Sequence, residues 1–155
     1  MKVTEIMTRE PRTCSPATTV AEAAQSMWNA DCGILPIVEG GQLVGVVTDR
    51  DMYIALATRN ARATEVTIGE VATRQVMTCA PDDDVHAALA IMAKARVRRL
   101  PVVGFANTVV GILSIDDIVL VAGPRKTIRS EDVVGALKDI CGHHHEPAPV
   151  AAATT

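Results

Sequence analysis

Apolar positions along the chain switch between two periods, and they do so twice in the same order. Val20, Ala23, Ala24 and Met27 fall at i, i+3, i+4 and i+7, the spacing of one helix face, and predict a helix over Val20–Ala30. Residues 34–38 and 43–47 are short apolar runs around Glu39-Gly40-Gly41-Gln42 and predict two strands joined by a turn. A helix over 49–58 follows, and 60–67 reads as a linker. In the second half, Val85, Ala88, Leu89 and Met92 predict a helix over Val85–Ala95. Arg99–Val103 and 109–113 flank Gly104-Phe105-Ala106-Asn107-Thr108 as a second hairpin. Ile115–Val121 predicts a last helix, which Gly123-Pro124 stops. A short helical lead-in, 3–7 or 68–72, precedes each set, followed by an extended piece held by Pro16 or Pro81. The order in each set is β-α-β-β-α. Pro36 and Pro101 lie inside a strand and require an edge or a place where no donor is needed.

The residues repeat along with the pattern. Thr13-Cys14-Ser15-Pro16 returns as Thr78-Cys79-Ala80-Pro81, and Leu35-Pro36-Ile37-Val38 as Leu100-Pro101-Val102-Val103, both 65 residues on. After the longer second loop the offset is 66. Gly45-Val46-Val47-Thr48-Asp49-Arg50-Asp51 matches Gly111-Ile112-Leu113-Ser114-Ile115-Asp116-Asp117. Each copy exposes a hydrophobic face that its sibling can cover, and any site built once is expected twice about a pseudo-two-fold axis. The expected units are residues 1–64 and 65–124. Residues 125–142 carry an unduplicated helix over 129–141, with Ser130 as its cap, Val133, Val134, Leu137 and Ile140/Cys141 as its stripe and Gly142 at its end. It is expected to pack on its own module or on a second subunit. Residues 143–155 are expected to form a flexible tail.

Local signals support the helix starts. Thr19 and Glu22 form an S/T-x-x-E capping box, and Asp82-Asp83-Asp84 favour the positive end of the next helix. Trp28 lies just off its helix stripe and is expected to be partly buried.

Composition narrows the function. With 155 residues, 48% of them hydrophobic, the chain can bury a core; with 2% aromatics that core consists of small aliphatic side chains. So few rings argue against a base-stacking surface for nucleic acid. A net charge of −3 gives no general drive toward DNA or anionic membranes. No apolar run approaches the ~18 residues of a membrane span. Residues 1–5 lack the apolar stretch of a secretory signal, so a cytoplasmic location is expected. Cys14, Cys32, Cys79 and Cys141 show no C-x-x-C spacing and are expected to be free thiols. Cys14 and Cys79 hold equivalent positions, as small buried apolar residues or as a symmetric redox pair.

The candidate chemistry sits where the second strand of each hairpin meets a helix, at Thr48-x-x-Asp51 and Ser114-x-x-Asp117. A hydroxyl and a carboxylate at that spacing form a helix cap. The same geometry sets a carboxylate where it can accept both hydroxyl protons of a ribose. Arg98 and Arg99 stand just before Leu100-Pro101, and Arg50 lies inside the first motif; guanidinium groups clamp phosphate. Arg96, Arg98 and Arg99 can equally be a solvated cluster. The first copy has Cys32-Gly33-Ile34 at that place, so two such sites are expected to differ in phosphate affinity. There is no G-x-S-x-G, H-E-x-x-H or Walker A sequence, and no enzyme is expected. His86, beside three aspartates at a helix start, reads as a solvated residue. His143-His144-His145, with Cys141 and Glu146, is the one metal-like run. No assigned metal site follows from it, because consecutive residues on a helix point ~100° apart.

Two ordered sets of Leu-Pro-h-Val and Gly-h-h-[Thr/Ser]-x-x-Asp, with the Met-Thr pairs Met7-Thr8 and Met77-Thr78, resemble a CBS-domain pair, the module named after cystathionine β-synthase. The resemblance covers about residues 3–122. It implies an α/β fold of two β-α-β-β-α units packed through their sheets, here with a C-terminal helix. It implies two clefts for adenosine-containing ligands: AMP, ADP, ATP, S-adenosylmethionine or NAD(H). Carried onto this sequence, Asp51 and Asp117 bind ribose, assisted by Thr48 and Ser114. Val46 and Ile112 line the base pockets. Gly33, Ile34, Arg98 and Arg99 line the clefts, with the two arginines on phosphate, and Arg50 and Asp116 are secondary contacts. The matching position to Met7-Thr8 is Ala72-Thr73, with Met77-Thr78 five residues later, a departure that bears on the lead-in side of each cleft. The implied function is a regulatory, homodimeric sensor with no obligatory cofactor, read by an unidentified partner protein. Two other readings stay open: a ligand-free dimerisation or interaction module, and a metal or redox sensor carried by the tail.

Overall fold

The computed structural model describes residues 1–142. The elements are β1 (Thr8–Arg9), α1 (Val20–Ala30), β2 (Ile34–Glu39), β3 (Gln42–Thr48), α2 (Asp49–Arg59), α3 (Ile68–Val71), α4 (Val85–Ala95), β4 (Arg99–Val103), β5 (Val109–Ser114), α5 (Ile115–Val121) and α6 (Ser130–Cys141). A single 3₁₀ turn, Val3–Glu5, opens the chain. Helices and strands stand where the periodicity sets them, and the fold is two β-α-β-β-α units with pseudo-two-fold symmetry, packed through their sheets, plus a C-terminal helix.

Each unit is built on an antiparallel hairpin. β2 pairs with β3 and β4 with β5, with a register shift at Ile37/Val38 and again at Val102/Val103. The first hairpin turns on Gly40 and Gly41, at φ +58° and +80°, where a Cβ would be strained. The second carries its extra residue by placing Ala106 and Asn107 at positive φ. Asn107 spans the copies, its side-chain amide donating to the Leu43 carbonyl at 2.9 Å. Pro36 sits opposite Val46. Val46 gives both its N–H and its carbonyl to Thr73, at 3.0 and 2.9 Å, so no donor is wanted from the proline.

Each lead-in crosses to the other copy. Val3 and Thr4 donate to Asp83 and Pro81 (both 2.9 Å), while Ile68 and Gly69 donate to Thr18 and Pro16 (2.8 and 2.9 Å). β1 adds to β5, and Thr73 bridges to Val46. Val3 and Met7 are therefore buried among Val85, Leu89, Leu100 and Leu113, and Val66 and Ile68 among Val20, Leu35, Ile37 and Val47. Each core depends on chain from both repeats. Burying a Leu or Ile contributes about 2 kcal/mol, so these exchanges tie the two units together. The lead-in turns themselves are tied by the twin carboxylates Glu5 and Glu70, which accept the N–H of Lys2 (2.7 Å) and Thr67 (2.8 Å).

Helix α1 starts on the expected box, Glu22 N–H donating to Thr19 Oγ1 at 3.2 Å and Thr19 N–H to Glu22 Oε2 at 2.8 Å. Helix α4 is capped by Asp84, which accepts the His86 N–H at 2.9 Å. Two local expectations are corrected. The cap of α6 is Arg129 rather than Ser130: Asp132 accepts the Arg129 N–H at 3.1 Å, leaving Ser130 as the first helical residue. Trp28 is 83% exposed rather than partly buried, because no other described element covers the groove between α1 and α2. The equivalent side of the second unit is covered by α6, whose Val133 and Ala136 are buried in that unit's core.

Candidate functional site

Both duplicated motifs lie at the junction the sequence marks. β3 delivers the chain to Thr48, whose extended backbone (φ −111°, ψ 161°) turns it into α2. Thr48 N–H and Oγ1–H both donate to Asp51 Oδ2, at 3.0 and 2.7 Å, and Asp51 N–H returns to Thr48 Oγ1 at 3.2 Å. Ser114 and Asp117 make the same three bonds at 2.7, 2.7 and 3.1 Å. The helix-capping role is therefore real. It uses one carboxylate oxygen; Oδ1 of each aspartate accepts no hydrogen bond among the described residues. A single half-buried carboxylate thus holds its helix start and keeps an acceptor free.

Each aspartate borders a cleft between the copies. The first, about 640 Å³, is lined by Ile34, Val46, Thr48, Arg50 and Asp51 of one copy and Arg98, Arg99 and Pro101 of the other. The second, about 470 Å³, is lined by Ile112, Ser114, Asp116, Asp117 and Arg99 of the second copy and Ile34 of the first. Both volumes fall in the range of small-molecule sites, ~300–1,000 Å³. Another concavity, about 710 Å³, lies elsewhere between α4 and α6 and contains no member of either motif. It is the open seam of two packed helices, and both duplicated motifs lie at the other two clefts.

The structure brings together nearly all the residues singled out from sequence. Ile34 and Arg99 border both clefts, Arg98 only the first. Gly33 borders neither; it lies on the outer groove, and a Cβ there would stand 3.1 Å from Asp49 Oδ2. Gly45 and Gly111 allow the lead-in strands to approach: an added Cβ would meet Thr73 O at 3.0 Å, and Met7 Sδ at 2.6 Å with Thr8 O at 2.9 Å. Sequence reasoning missed the end of α6. Ile140 and Cys141 line the first cleft, and Arg98 Nη2 lies 3.7 Å from Cys141 Sγ. It also missed Asp31 and Glu10 on the second cleft. Nothing in the spacing points to Cys141, since its place follows from how α6 docks. Asp31 could be found as the twin of Arg96.

Cysteine chemistry is muted inside the cores. All four described cysteines are free. Burial pushes the Cys14 thiol up to about 11 and the Cys79 thiol up to about 12, leaving neither as a ready thiolate. His86 lies 3.1 Å from Asp84 and 3.8 Å from Asp132, where the start of α4 meets α6. Among the described residues no cluster of three His, Cys, Asp or Glu could hold a metal ion. The run His143-His144-His145 with Glu146, and the tail 143–155, lie outside the described residues. No described helix is long and apolar enough to cross a membrane.

Twin β-α-β-β-α units with interlocked lead-ins and a capped carboxylate at each of two inter-unit clefts define a tandem-repeat cleft module. The CBS domain family matches residues 3–58 and 68–123, and the chain belongs to it. The chain is 34% identical over 116 residues to the CBS domain-containing protein YhcV of Bacillus subtilis (strain 168), covering 75% of this chain and 81% of that one. It is 35% identical over 125 residues to the L-aspartate semialdehyde sulfurtransferase of Methanocaldococcus jannaschii, covering 80% of this chain and 24% of the enzyme. The CBS domain pair of protein MJ0100, in complex with 5′-methylthioadenosine and S-adenosyl-L-methionine, is similar in structure: TM-score 0.71, 33% identity, 77% of this chain and 94% of that one.

Proposed function

We propose that this chain is a regulatory sensor, not a catalyst, that binds an adenosine-containing ligand of the AMP, ADP, ATP or S-adenosylmethionine class in its inter-unit clefts. Ligand binding changes the packing of the two units, and a partner protein reads that change. The observation that carries the reading is the duplicated aspartate, Asp51 and Asp117, each at a cleft wall with one oxygen committed to its helix cap and the other accepting no hydrogen bond among the described residues. A ribose diol supplies two donors to such an acceptor. Val46 and Ile112 offer apolar surface for a base, and Arg98 and Arg99 offer guanidinium groups for phosphate. The MJ0100 pair, whose ligands carry an adenosine group, supports the class of ligand. A reducing, cytoplasmic setting fits the four free thiols.

Calorimetric titration with AMP, ADP, ATP and S-adenosylmethionine tests this. At least one should bind with Kd below about 1 mM, and Asp51→Ala combined with Asp117→Ala should abolish binding. No binding by any of the four, or unchanged binding in the double variant, overturns it.

A homodimer belongs to the same proposal and is favoured by a separate observation. The α1/α2 side of the first unit exposes Trp28 (83%) and Tyr53 (74%), while α6 covers its twin. A second copy meeting that side gives sedimentation at twice the chain mass, and Trp28→Ala with Tyr53→Ala returns it to the monomer. Dimer loss with no effect of any nucleotide would favour the ligand-free interaction module instead.

A further inference from the structure

We propose that the two clefts sort adenosine ligands by charge: the Asp51 cleft takes a phosphorylated, anionic adenosine, and the Asp117 cleft takes one whose 5′ substituent is positively charged. This rests on the adenosine-binding reading above and assigns a ligand class to each cleft. The pseudo-two-fold axis supplies the comparison, because it pairs each wall residue with a twin. Arg50 in the first cleft is Asp116 in the second, Arg96 is Asp31, and Gln75 is Glu10. Each exchange moves charge in the same direction. The first cleft faces four guanidinium groups and two carboxylates; the second faces four carboxylates and two guanidinium groups.

The opposing terms do not cancel this. Two exchanges run in the other sense: Arg12 replaces Met77 on the second cleft, and the twin of Asp49 on the first is the uncharged Ile115. In the first cleft Asp49 turns back on its own helix, its Oδ1 accepting the Arg50 N–H at 2.7 Å and its Oδ2 facing Gly33. Arg50, Arg96, Arg98 and Arg99 form no ion pair among the described residues, whereas Arg59 and Arg129 on the outer surface each pair with a carboxylate.

Helix electrostatics sharpens the contrast. Arg50 sits in the first turn of α2, the positive end, where a cation is disfavoured. Asp31 is the left-handed C-cap of α1, the negative end, where an anion is disfavoured; at the same position of α4, Arg96 is favoured. Each cleft thus holds one charge that its own helix opposes, and that charge has the sign of the rest of the wall. A bound phosphate relieves Arg50, and a bound cation relieves Asp31.

The test is calorimetry of the full chain with ATP and with S-adenosylmethionine, whose sulfonium is cationic, using wild type, Asp51→Ala and Asp117→Ala. ATP binding should weaken at least tenfold in Asp51→Ala and hold within twofold in Asp117→Ala; S-adenosylmethionine should show the reverse. Asp116→Arg, a surface exchange that copies Arg50, should add a second equivalent of ATP and weaken S-adenosylmethionine at least tenfold. Both ligands lost together in the same single variant, or an Asp116→Arg protein with unchanged stoichiometry, overturns the sorting while leaving adenosine binding intact. If neither ligand binds the wild type, both the sorting and the adenosine reading fail.

Discussion

The first and second clefts share one frame and differ in their rims. Asp51 and Asp117 make the same three cap bonds, all between 2.7 and 3.2 Å. Around them, Arg50 faces one cavity and Asp116 the other, and the end of α6 reaches only the first. The frame is shared because it serves the fold: losing it leaves a helix start uncapped. The rim side chains are exposed and hold up no packing, so the copies are free to diverge there. A duplicated fold can in this way carry two unlike sites on one scaffold.

The comparison is broken most severely in the cores. Leu35 and Leu100 are twins, both fully buried. Leu35→Ala and Leu100→Ala should each destabilise by about 3 kcal/mol, read from urea unfolding. Because each core includes the other copy's lead-in, each variant should still unfold in one transition. Two separated transitions would show that the units are independent. Next in size is Gly111→Val against Gly45→Val. The added side chain meets Thr8 O at 2.9 Å in one and Thr73 O at 3.0 Å in the other, with Met7 Sδ also in the way at Gly111. Both should cost about 1–3 kcal/mol, Gly111→Val the more. An equal or reversed order would mean that the β1 segment yields more readily than residue 73.

Thr48→Ala and Ser114→Ala sharpen the shared frame. Each should cost about 1 kcal/mol, and the two should agree within a few tenths if the frames are equivalent. Smallest is the acid response of the lead-in and helix caps. Hydrogen bonds from Thr19 hold the Glu22 carboxyl below its ordinary 4.5, and those from Thr67 do the same for Glu70. Carboxylates depressed in the folded state add stability above their ordinary value, and that contribution is lost as pH falls through the lowered folded value. Glu22→Gln and Glu70→Gln should each flatten the drop in the urea midpoint on acidification below about 4.5, and to a similar extent. A steeper drop would contradict the sign.

Much of this molecule is legible in its residues because repetition doubles each local signal. The helix over Val20–Ala30 and the strand over Arg99–Val103 begin and end where the apolar spacing sets them. What the chain hides is which sheet each lead-in joins. Thr8 and Thr73 hold equivalent repeat positions, so spacing alone cannot show which sheet each one joins. Trp28 misleads because burial depends on what covers α1, and no residue near it encodes that cover. At the candidate site, the pairing of Thr48 with Asp51 is a local matter and can be read directly. The approach of Arg98 to the opposite copy's Asp51, and of Cys141 to Arg98, arises only when units and α6 pack. Gly33 illustrates the limit from the other side: it neighbours Ile34 in sequence, but it lies in the bend before β2 and borders the outer groove.

The crystal structure of the chain soaked with AMP is the most direct measurement. The ribose hydroxyls should lie about 2.7 Å from Asp51 Oδ1, the oxygen left free by the Thr48 cap, with the phosphate against Arg98 and Arg99. AMP bound with its ribose away from both Asp51 and Asp117, or clefts left empty at saturating AMP while it binds on another surface, would contradict that arrangement.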